Sequence, residues 1–314
     1  MRVKFWGVRG SVPTPLTTNQ IQSRISAVIQ RITPEDVKTQ ESRERFLAKL
    51  PPYIMKTAGG NTTCIEVRLA DDTVILIDCG TGIREFASSV AQKNEFIRDY
   101  YIFFTHFHWD HIQGLPFFVP AAYHPDCSLI FHSPVKGFEK FLWEQMRYPY
   151  FPVTMEVMSA KKSFIELEEP PVRIGGAEVF WRQMKHPGKA FSYQIVENGK
   201  KFIFSTDTEL TEEDFIRNDA NRLFYEGADA LVIDSQYTLD EALEKYDWGH
   251  SSYSLAVDFA AEWGIKKLFL FHHEPLYDDK KIFSILKSAG WYLQHIEHKG
   301  VEIHLAIEGY EFEV

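Results

Sequence analysis

The stretch FFTHFHWDH, residues 103–111, places three histidines and one aspartate within six positions, at His106, His108, Asp110 and His111. It continues the apolar run YYIFF, which predicts a buried strand, so the four side chains lie on the loop that leaves the carboxyl end of that strand. Imidazole and carboxylate groups are common ligands of divalent metal ions. The stretch therefore predicts a metal centre at a strand end, where binding sites of α/β sheets collect.

The spacing of these side chains favours two metals over one. If His106 and His108 are both in extended backbone, they point to the same side, because residues two apart on a strand share a face. A turn after His108 can then direct Asp110 and His111 to a second point. Four residues cannot complete two sites, so further ligands must come from other strand ends. A polar loop that carries its histidines by chance is the alternative, which this density of ligands disfavours.

Three later strand-like runs end in the same way. FWRQMKH ends at His186, KFIFSTD ends at Asp207, and KLFLFHH ends at His272 and His273. Each of these residues follows an apolar run, as His106 does. Any one of them alone would be an ordinary loop residue, but together they can supply the missing ligands.

Composition and charge restrict the functions that need to be considered. The chain has 314 residues, of which 45% are hydrophobic, so it can bury a large core. Its formal net charge of -10, without a long run of Lys or Arg, is unlike that of proteins that grip a long nucleic acid. Three cysteines without a CxxC pair suit a reducing compartment and exclude a structural zinc of the finger type. With no signal-peptide core and no run of about 18 apolar residues, we expect a cytoplasmic protein without a membrane partner.

Strand-like runs and helical segments alternate along the chain. Runs such as TVILIDCG, SLIFHS and ALVIDSQ predict strands, whereas GIREFASSVAQ and SYSLAVDFAAEWG have helical period. The chain is therefore predicted to be α/β, with helices that cover the strands. Residues 17–56 interrupt this pattern with polar, helix-forming sequence. We interpret them as a helical insertion within the first group of strands.

The order of the motifs resembles the metallo-β-lactamase superfamily of hydrolases. Asp78 in ILIDCGTG is followed by THFHWDH, then by His186, Asp207 and a late histidine. The resemblance implies an α/β fold of four αββα layers, in which 1–314 form a single domain that contains the helical insertion 17–56. It also implies one metal held by His106, His108 and His186, a second held by Asp110, His111 and His272, and Asp207 bridging the two.

Two residues beside these ligands are expected to support them. Neighbouring residues of a strand face opposite ways, so only one of His272 and His273 should reach a metal. The family pattern favours His272 and leaves His273 behind the ligands as the alternative. Asp78 is expected to accept the free N–H of a ligand imidazole or to orient the loop. The ligand set suits two ions of zinc, manganese or iron, and zinc is our first expectation.

The segment DWGHSSYSLAVDFAAEWG indicates a proton donor. His250 precedes a helical run whose N-cap is Ser251 or Ser252, and a helix N-terminus favours an anion. The HSS triplet resembles the motif of the phosphodiesterase branch of the superfamily, which includes ribonuclease Z and the phosphoribosyl cyclic phosphate phosphodiesterase. In that branch the matching histidine contacts the phosphate and donates a proton. A capping-region histidine without chemistry is the alternative.

The resemblance to this branch implies a dinuclear phosphodiesterase for a small phosphodiester, such as a cyclic nucleotide or a cyclic ribose phosphate. The catalytic residues would be His250, Asp110 and Asp207, with substrate contacts from Asn61 in AGGNTTC, from Ser251 and from His250. The acidic segment between Asp207 and His250 lacks the basic Gly/Pro-rich arm of ribonuclease Z, which disfavours RNA processing. A homodimer is compatible with the sequence.

Other functions of the same fold remain open at this point. A thioesterase or lactonase is the main alternative, and His250 beside a helix N-terminus argues for phosphate over acyl substrates. A di-iron redox protein is less favoured, because His108 is present where such proteins carry an acid and no flavin domain follows. A non-catalytic scaffold would be expected to have lost ligands.

Two further segments have open roles. Tyr148, Tyr150 and Phe151 either form an aromatic wall that stacks a base or pack in the core. The insertion 17–56 either covers the metal site or is a surface excursion or a dimer contact. If it covers the site, Phe46, Leu47, Leu50 and Tyr53 would face inward, because they have roughly helical spacing.

Overall fold

The computed structural model describes residues 1–296 and 300–314, and within them two β-sheets of seven strands each form the framework. The first sheet contains, in spatial order, β14 (Glu311–Glu313), β1 (Arg2–Gly7), β2 (Cys64–Arg68), β3 (Val74–Ile77), β4 (Asp99–Phe103), β5 (Ser128–Ser133) and β6 (Lys161–Glu166). The second sheet contains β13 (Glu302–Leu305), β12 (Lys267–Phe271), β11 (Ala230–Asp234), β10 (Lys200–Ser205), β9 (Ala190–Glu197), β8 (Ala177–Met184) and β7 (Val172–Ile174). Each sheet is antiparallel on one side and parallel on the other.

Helices occupy the connections between the strands. The α-helices are α1 (Thr18–Ile29), α2 (Gln40–Lys49), α3 (Pro52–Met55), α4 (Gly82–Gln92), α5 (Trp109–Ile112), α6 (Val119–Ala122), α7 (Glu139–Gln145), α8 (Glu212–Phe215), α9 (Asp219–Tyr225), α10 (Leu239–Glu244), α11 (Tyr253–Glu262) and α12 (Asp279–His295). Short 3-10 helices lie at Pro34–Val37, Leu115–Phe117 and Met155–Val157. Across residues 1–296 and 300–314, none of the helices combines the length and the apolar character needed to cross a bilayer.

The core between the two sheets explains why the strand sequences are so apolar. Strands β3 and β11 are buried along their whole length, because one face packs on the opposite sheet and the other face is covered by helices. Phe103 of the first sheet contacts Tyr193 of the second at 5.3 Å between ring centroids, and Phe5 contacts Phe269 at 5.5 Å. These contacts fix the distance between the sheets.

Helices complete the outer layers. Ile83, Phe86 and Val90 of α4 belong to a buried cluster on the outer face of the first sheet. Phe259 of α11 and Ile282 of α12 belong to a corresponding cluster on the second sheet. The predicted α/β fold with four αββα layers is therefore confirmed.

Strands β6, β7 and β14 lie in segments where the sequence pattern predicted no strand. The first two lie at sheet edges, and so does β14, which pairs only with β1. Strand β6 is largely solvent-exposed, so it lacks the continuous apolar run that marks the buried strands. The pairing of edge strands is decided by the neighbouring strand and leaves a weaker signal in the sequence.

Residues 17–56 are largely helical between β1 and β2, and their contacts lie away from the cavities beside the predicted ligands. Arg24 forms an ion pair with Asp279 at the start of α12, and Tyr53 packs against the cluster formed by α11 and α12. Phe46 is buried in a small cluster of its own, whereas Leu47 is 41% exposed. No residue of 17–56 lines either of the cavities beside the predicted ligands. The lining of these cavities does not support a role of this segment in covering the site, and the exposure of Leu47 does not support its inward orientation.

We predict that Phe46→Ala loosens this segment while Leu47→Ala does not. Phe46 is only 8% exposed, and truncation of a buried Phe leaves a cavity that typically costs about 3 kcal/mol or more. Substitution of the neighbouring exposed Leu47 should change stability by no more than about 0.5 kcal/mol. Amide hydrogen exchange in α2 measures the free energy of opening. Equal exchange in the two variants would contradict the observed packing.

Candidate metal centre

The first group of predicted ligands assembles across the two sheets. His106 and His108 follow β4 of the first sheet, while His186 and Asp207 follow β8 and β10 of the second. One nitrogen or oxygen atom from each of the four lies within 4.8 Å of the others. Nε2 of His186 is 3.2 Å from Nδ1 of His108. The first strand-end motif and the later strand ends therefore meet as the spacing predicted.

The second group lies on the other side of Asp207. Asp110, His111 and His272 also offer atoms within 4.8 Å of one another. The Oδ2 atom of Asp110 is 3.3 Å from Nε2 of His111 and 3.5 Å from Nε2 of His272. Both clusters are thus built from residues of both sheets.

Asp207 presents one oxygen atom to each cluster. Its Oδ1 is 3.7 Å from Nε2 of His106 and 3.7 Å from Nε2 of His186. Its Oδ2 is 3.2 Å from Nε2 of His111 and 3.2 Å from Nε2 of His272. This is the arrangement required of a carboxylate that bridges two ions.

The hydrogen bonding of the histidines fits bound metal ions. The Nε2 atoms of His106, His111 and His272 are buried and have no hydrogen-bond partner among the described residues. A buried polar atom without a partner costs about 1–3 kcal/mol, so three such atoms aimed at one carboxylate need an explanation. Two divalent cations would coordinate these nitrogen atoms and offset that cost.

The protonation of the site also suits metal binding. Burial lowers the pKa of His106 well below its usual value, which leaves a neutral imidazole. Burial also opposes protonation of His272, but Asp207 and Asp110 raise its pKa to about 9. The pKa of Asp207 lies well below its usual range despite burial, because His272, His111 and His106 favour its charged form. A metal ion that binds here would displace the proton of His272.

Asp78 supports the second cluster from behind, as the sequence analysis expected of it. It is fully buried and accepts hydrogen bonds from the backbone N–H of Thr105 at 2.8 Å and from the Thr105 hydroxyl at 2.7 Å. Nδ1 of His111 lies 2.8 Å from its second oxygen. When His111 donates to Asp78 from Nδ1, its Nε2 is held towards Asp207.

Of the two neighbouring histidines, His272 enters the site and His273 does not. Nε2 of His273 lies 2.8 Å from the carbonyl oxygen of Ala306, on the opposite side of the strand end. Burial lowers the pKa of His273 to about 3, so it is a neutral donor to that carbonyl. His273 therefore contacts none of the predicted ligands through its imidazole and anchors the loop after β13.

His250 lies beside both clusters, held by a residue that the sequence analysis missed. Its Nδ1 is 2.7 Å from Oδ2 of Asp234, and the backbone N–H of Ser251 donates to the other oxygen at 3.1 Å. Its ring is 5.0 Å from that of His272 and 5.3 Å from that of His186. Because Nδ1 is bonded to Asp234, Nε2 of His250 remains free to act on a bound molecule.

A cavity of about 460 Å³ opens in front of His250 and the ligands. Its lining comprises Ser11, Phe107, His108, Trp109, Asp110, His186, Pro187, Asp207, Trp248 and His250. Trp109 and Trp248 are 80% and 61% exposed, so indole rings flank the opening. The cavity gives a small molecule access to both clusters and to His250.

Asp234 carried a signal that could have identified it. It ends the buried strand β11 in ALVID, the position that Asp78 occupies after β3 and Asp207 after β10. Ser11 carried no such signal, although its backbone N–H donates to Oδ2 of Asp110 at 2.8 Å. Only the fold brings the first loop of the chain to the second cluster.

Two predicted substrate contacts lie away from this cavity. The side-chain amide of Asn61 donates to Oε2 of Glu308 at 3.2 Å. Ser251 is buried, and its hydroxyl donates to the Thr208 carbonyl at 2.7 Å. The helix N-cap is Ser252, which accepts from the Leu255 N–H at 3.2 Å. Asn61 and Ser251 thus stabilise loops, and their assignment as substrate-binding residues is not supported.

The three residues of the predicted aromatic wall, Tyr148, Tyr150 and Phe151, do not all lie in the same place. Tyr150 and Phe151 line a second cavity, which also reaches His106 and His108. Tyr148 is 87% exposed and is not part of that lining. The stacking role predicted for Tyr148 is therefore not supported, whereas Tyr150 and Phe151 are available for it.

Comparisons with known proteins agree with this architecture. Residues 73–273 match a family model described as the beta-lactamase superfamily domain. Ribonuclease Z of Oceanobacillus iheyensis is 23% identical, and the alignment covers 74% of this chain and 90% of that protein. The metallo-beta-lactamase fold protein YhfI from Bacillus subtilis superposes with a TM-score of 0.66 at 16% identity, over 100% of this chain and 98% of YhfI. A diphosphatase from the PhnP family gives a TM-score of 0.63 at 17% identity, over 100% and 97% of the two chains.

The carboxyl group of Glu308, which binds Asn61, should make stability depend on pH. Burial raises its pKa from 4.5 to about 7, so the folded protein favours the protonated form. The stability that this protonated carboxyl group contributes is complete below 4.5, the pKa of the unfolded state. It is lost as the pH rises through about 7, the pKa of the folded state. Glu308→Gln is neutral at every pH. We therefore predict that the free energy of unfolding of this variant, relative to that of the parent protein, increases when the pH is raised from 5 to 8. Urea unfolding at both pH values measures this gain, and an unchanged difference would contradict the prediction.

Proposed function

The chain belongs to the metallo-β-lactamase superfamily, and we propose that it is a dinuclear metal phosphodiesterase that hydrolyses a small phosphodiester. The observation that carries the proposal is the position of His250 beside two ligand clusters, each of which faces one oxygen of Asp207. The names of the relatives, a ribonuclease and a diphosphatase, support phosphoester chemistry. We propose further that residues 1–314 act as one domain with 17–56 as an insertion.

The candidate ligands define where the reaction would take place. His106, His108 and His186 would hold one ion, Asp110, His111 and His272 the other, and Asp207 would bridge them. When bound, two such ions supply a nucleophilic water at neutral pH and compensate the negative charge of the phosphoryl oxygens. Asp78 would keep His111 oriented through its short hydrogen bond.

His250 is suited to donate a proton to the leaving oxygen. Asp234 accepts the Nδ1–H and fixes the orientation of the ring, so that a protonated Nε2 can face the substrate. A leaving alkoxide needs such a donor because it is strongly basic. This pair argues against a thioester, whose weakly basic thiolate leaves without a proton. A lactone also releases an alkoxide, so lactone hydrolysis is the alternative that the substrate assays below separate.

The surface of the chain favours a small substrate. The formal net charge is -10, and the segment between Asp207 and His250 is acidic. A long RNA would be repelled by this field unless a basic surface compensated for it. Substrates of the size of a nucleotide need only the cavities beside the ligands.

We predict that metal reconstitution approaches two equivalents per chain. Seven candidate ligands exceed what one tetrahedral ion uses, and Asp207 faces both clusters. Elemental analysis after dialysis against zinc or manganese measures the stoichiometry. Asp78→Asn should lower the affinity of the second equivalent by about 10–100-fold, because a neutral amide replaces the carboxylate that orients His111. A stoichiometry that remains at one under excess metal would refute the dinuclear assignment.

The function is tested with 2′,3′- and 3′,5′-cyclic nucleotides, a nitrophenyl phosphodiester, a thioester and a lactone, assayed on the metal-loaded protein. We expect hydrolysis of the phosphodiesters and a loss of about 10²–10⁴-fold in kcat for His250→Ala, without loss of metal. The loss should be smaller for the nitrophenyl ester, whose leaving group departs without a proton. His295→Ala removes an exposed histidine on α12 and is the matched control.

The possible outcomes separate the alternatives. Activity on the thioester or lactone but not on the phosphodiesters would replace the proposed function with acyl ester hydrolysis. Loss of metal in His250→Ala would make His250 a ligand and overturn its assignment as the proton donor.

A further inference from the structure

A second, larger cavity adjoins the first ligand cluster. It has a volume of about 910 Å³, which is within the range of small-molecule sites, and His106 and His108 form part of its wall. Its aromatic lining consists of Phe107, Trp109, Phe117, Phe141, Tyr150 and Phe151. His108 and Trp109 also line the smaller cavity in front of His250, so one molecule can occupy both.

The aromatic side chains around this cavity are unusually open to solvent. Trp109, Phe117 and Tyr150 are all more than half exposed. A group of exposed aromatic rings around a concave surface typically marks a place where an apolar ligand binds. Rings rather than aliphatic side chains dominate the lining, which favours a flat aromatic ligand.

Glu144 adds a polar requirement to this cavity. Its side chain lines the cavity beside Gln145. A carboxylate accepts hydrogen bonds, so a ligand with an amino group can donate to Glu144. The side-chain nitrogen of Gln145 is itself buried from solvent and is therefore not a contact that a ligand in the cavity reaches. A flat ring with an amino group satisfies both the aromatic lining and Glu144, whereas a purely aliphatic group satisfies neither.

We propose that this cavity binds the nucleobase of a nucleotide phosphodiester. The rings of Tyr150 and Trp109 would contact the faces of the base, and Glu144 would accept a hydrogen bond from an amino group of the base. The phosphate would then lie at His106 and His108, with its leaving oxygen on the side of His250. The inference rests on the proposed function for the position of the phosphate and adds the class of substrate.

Binding of adenosine 5′-monophosphate and of ribose 5-phosphate to the metal-loaded protein tests this inference without hydrolysis. Calorimetry should show tighter binding of the nucleotide by about 5–150-fold, the range for stacking of one base on aromatic side chains. Tyr150→Ala and Glu144→Leu should each bring the affinity for the nucleotide closer to that for the sugar phosphate. Tyr148→Ala should leave it unchanged, because Tyr148 lies two residues away but outside the lining.

Each outcome distinguishes this inference from the proposed function. If the two compounds bind equally, or if Tyr148→Ala weakens the nucleotide as much as Tyr150→Ala, the cavity does not hold the base. If the nucleotide binds more tightly and Tyr150→Ala abolishes the difference, the cavity does hold the base. Should that result come with no hydrolysis of any phosphodiester, the base site stands and the phosphodiesterase proposal fails.

Discussion

The carboxylate of Asp207 is the interaction on which the arrangement of the site depends. It is buried between the two sheets, with Oδ1 towards His106 and His186 and Oδ2 towards His111 and His272. Its charge offsets the cost of gathering several largely buried imidazoles beside one another. The first sheet supplies His106 and His111, and the second supplies His186, Asp207 and His272. The site therefore exists only when the two sheets pack in one register. Packing in the core between the sheets, such as the contact of Phe103 with Tyr193, therefore sets the positions of the candidate ligands relative to one another.

The same strand ends carry backbone strain. Asp78, Asp207 and His272 have φ angles of 62°, 49° and 60°, in the left-handed region that non-glycine residues rarely adopt. Each such residue costs on the order of 1–3 kcal/mol and persists only where surrounding contacts hold it. Asp78 accepts three short hydrogen bonds, and Asp207 accepts one from the Thr206 hydroxyl at 2.7 Å. The chain thus turns sharply where each strand ends, which aims the carboxylates and the imidazole across the gap between the sheets.

Local sequence predicted the strands and the candidate ligands because both depend on short patterns. An apolar run followed by a His or Asp marks a buried strand whose end faces the site, and this pattern would also have identified Asp234. The packing of residues 17–56 could not be read in this way. It depends on the pair of Arg24 with Asp279, which are far apart in the chain, and polar helices contain little information about which surface they contact. Likewise, Tyr148 and Tyr150 are nearly adjacent in sequence, and only the path of the loop decides which of them lines a cavity.

The position of the helical segment changes the explanation of substrate size. Since residues 17–56 pack towards α12, the dimensions of the opening are set by side chains next to the ligands themselves. Trp109 follows His108 directly, and Trp248 lies two residues before His250, so each indole is attached to a loop that also carries a candidate functional histidine. A change in either loop would therefore alter the size of the opening and the orientation of a histidine together. Under the proposed function, substrate selection and proton donation would therefore be coupled, because the loop of Trp248 and His250 would provide both.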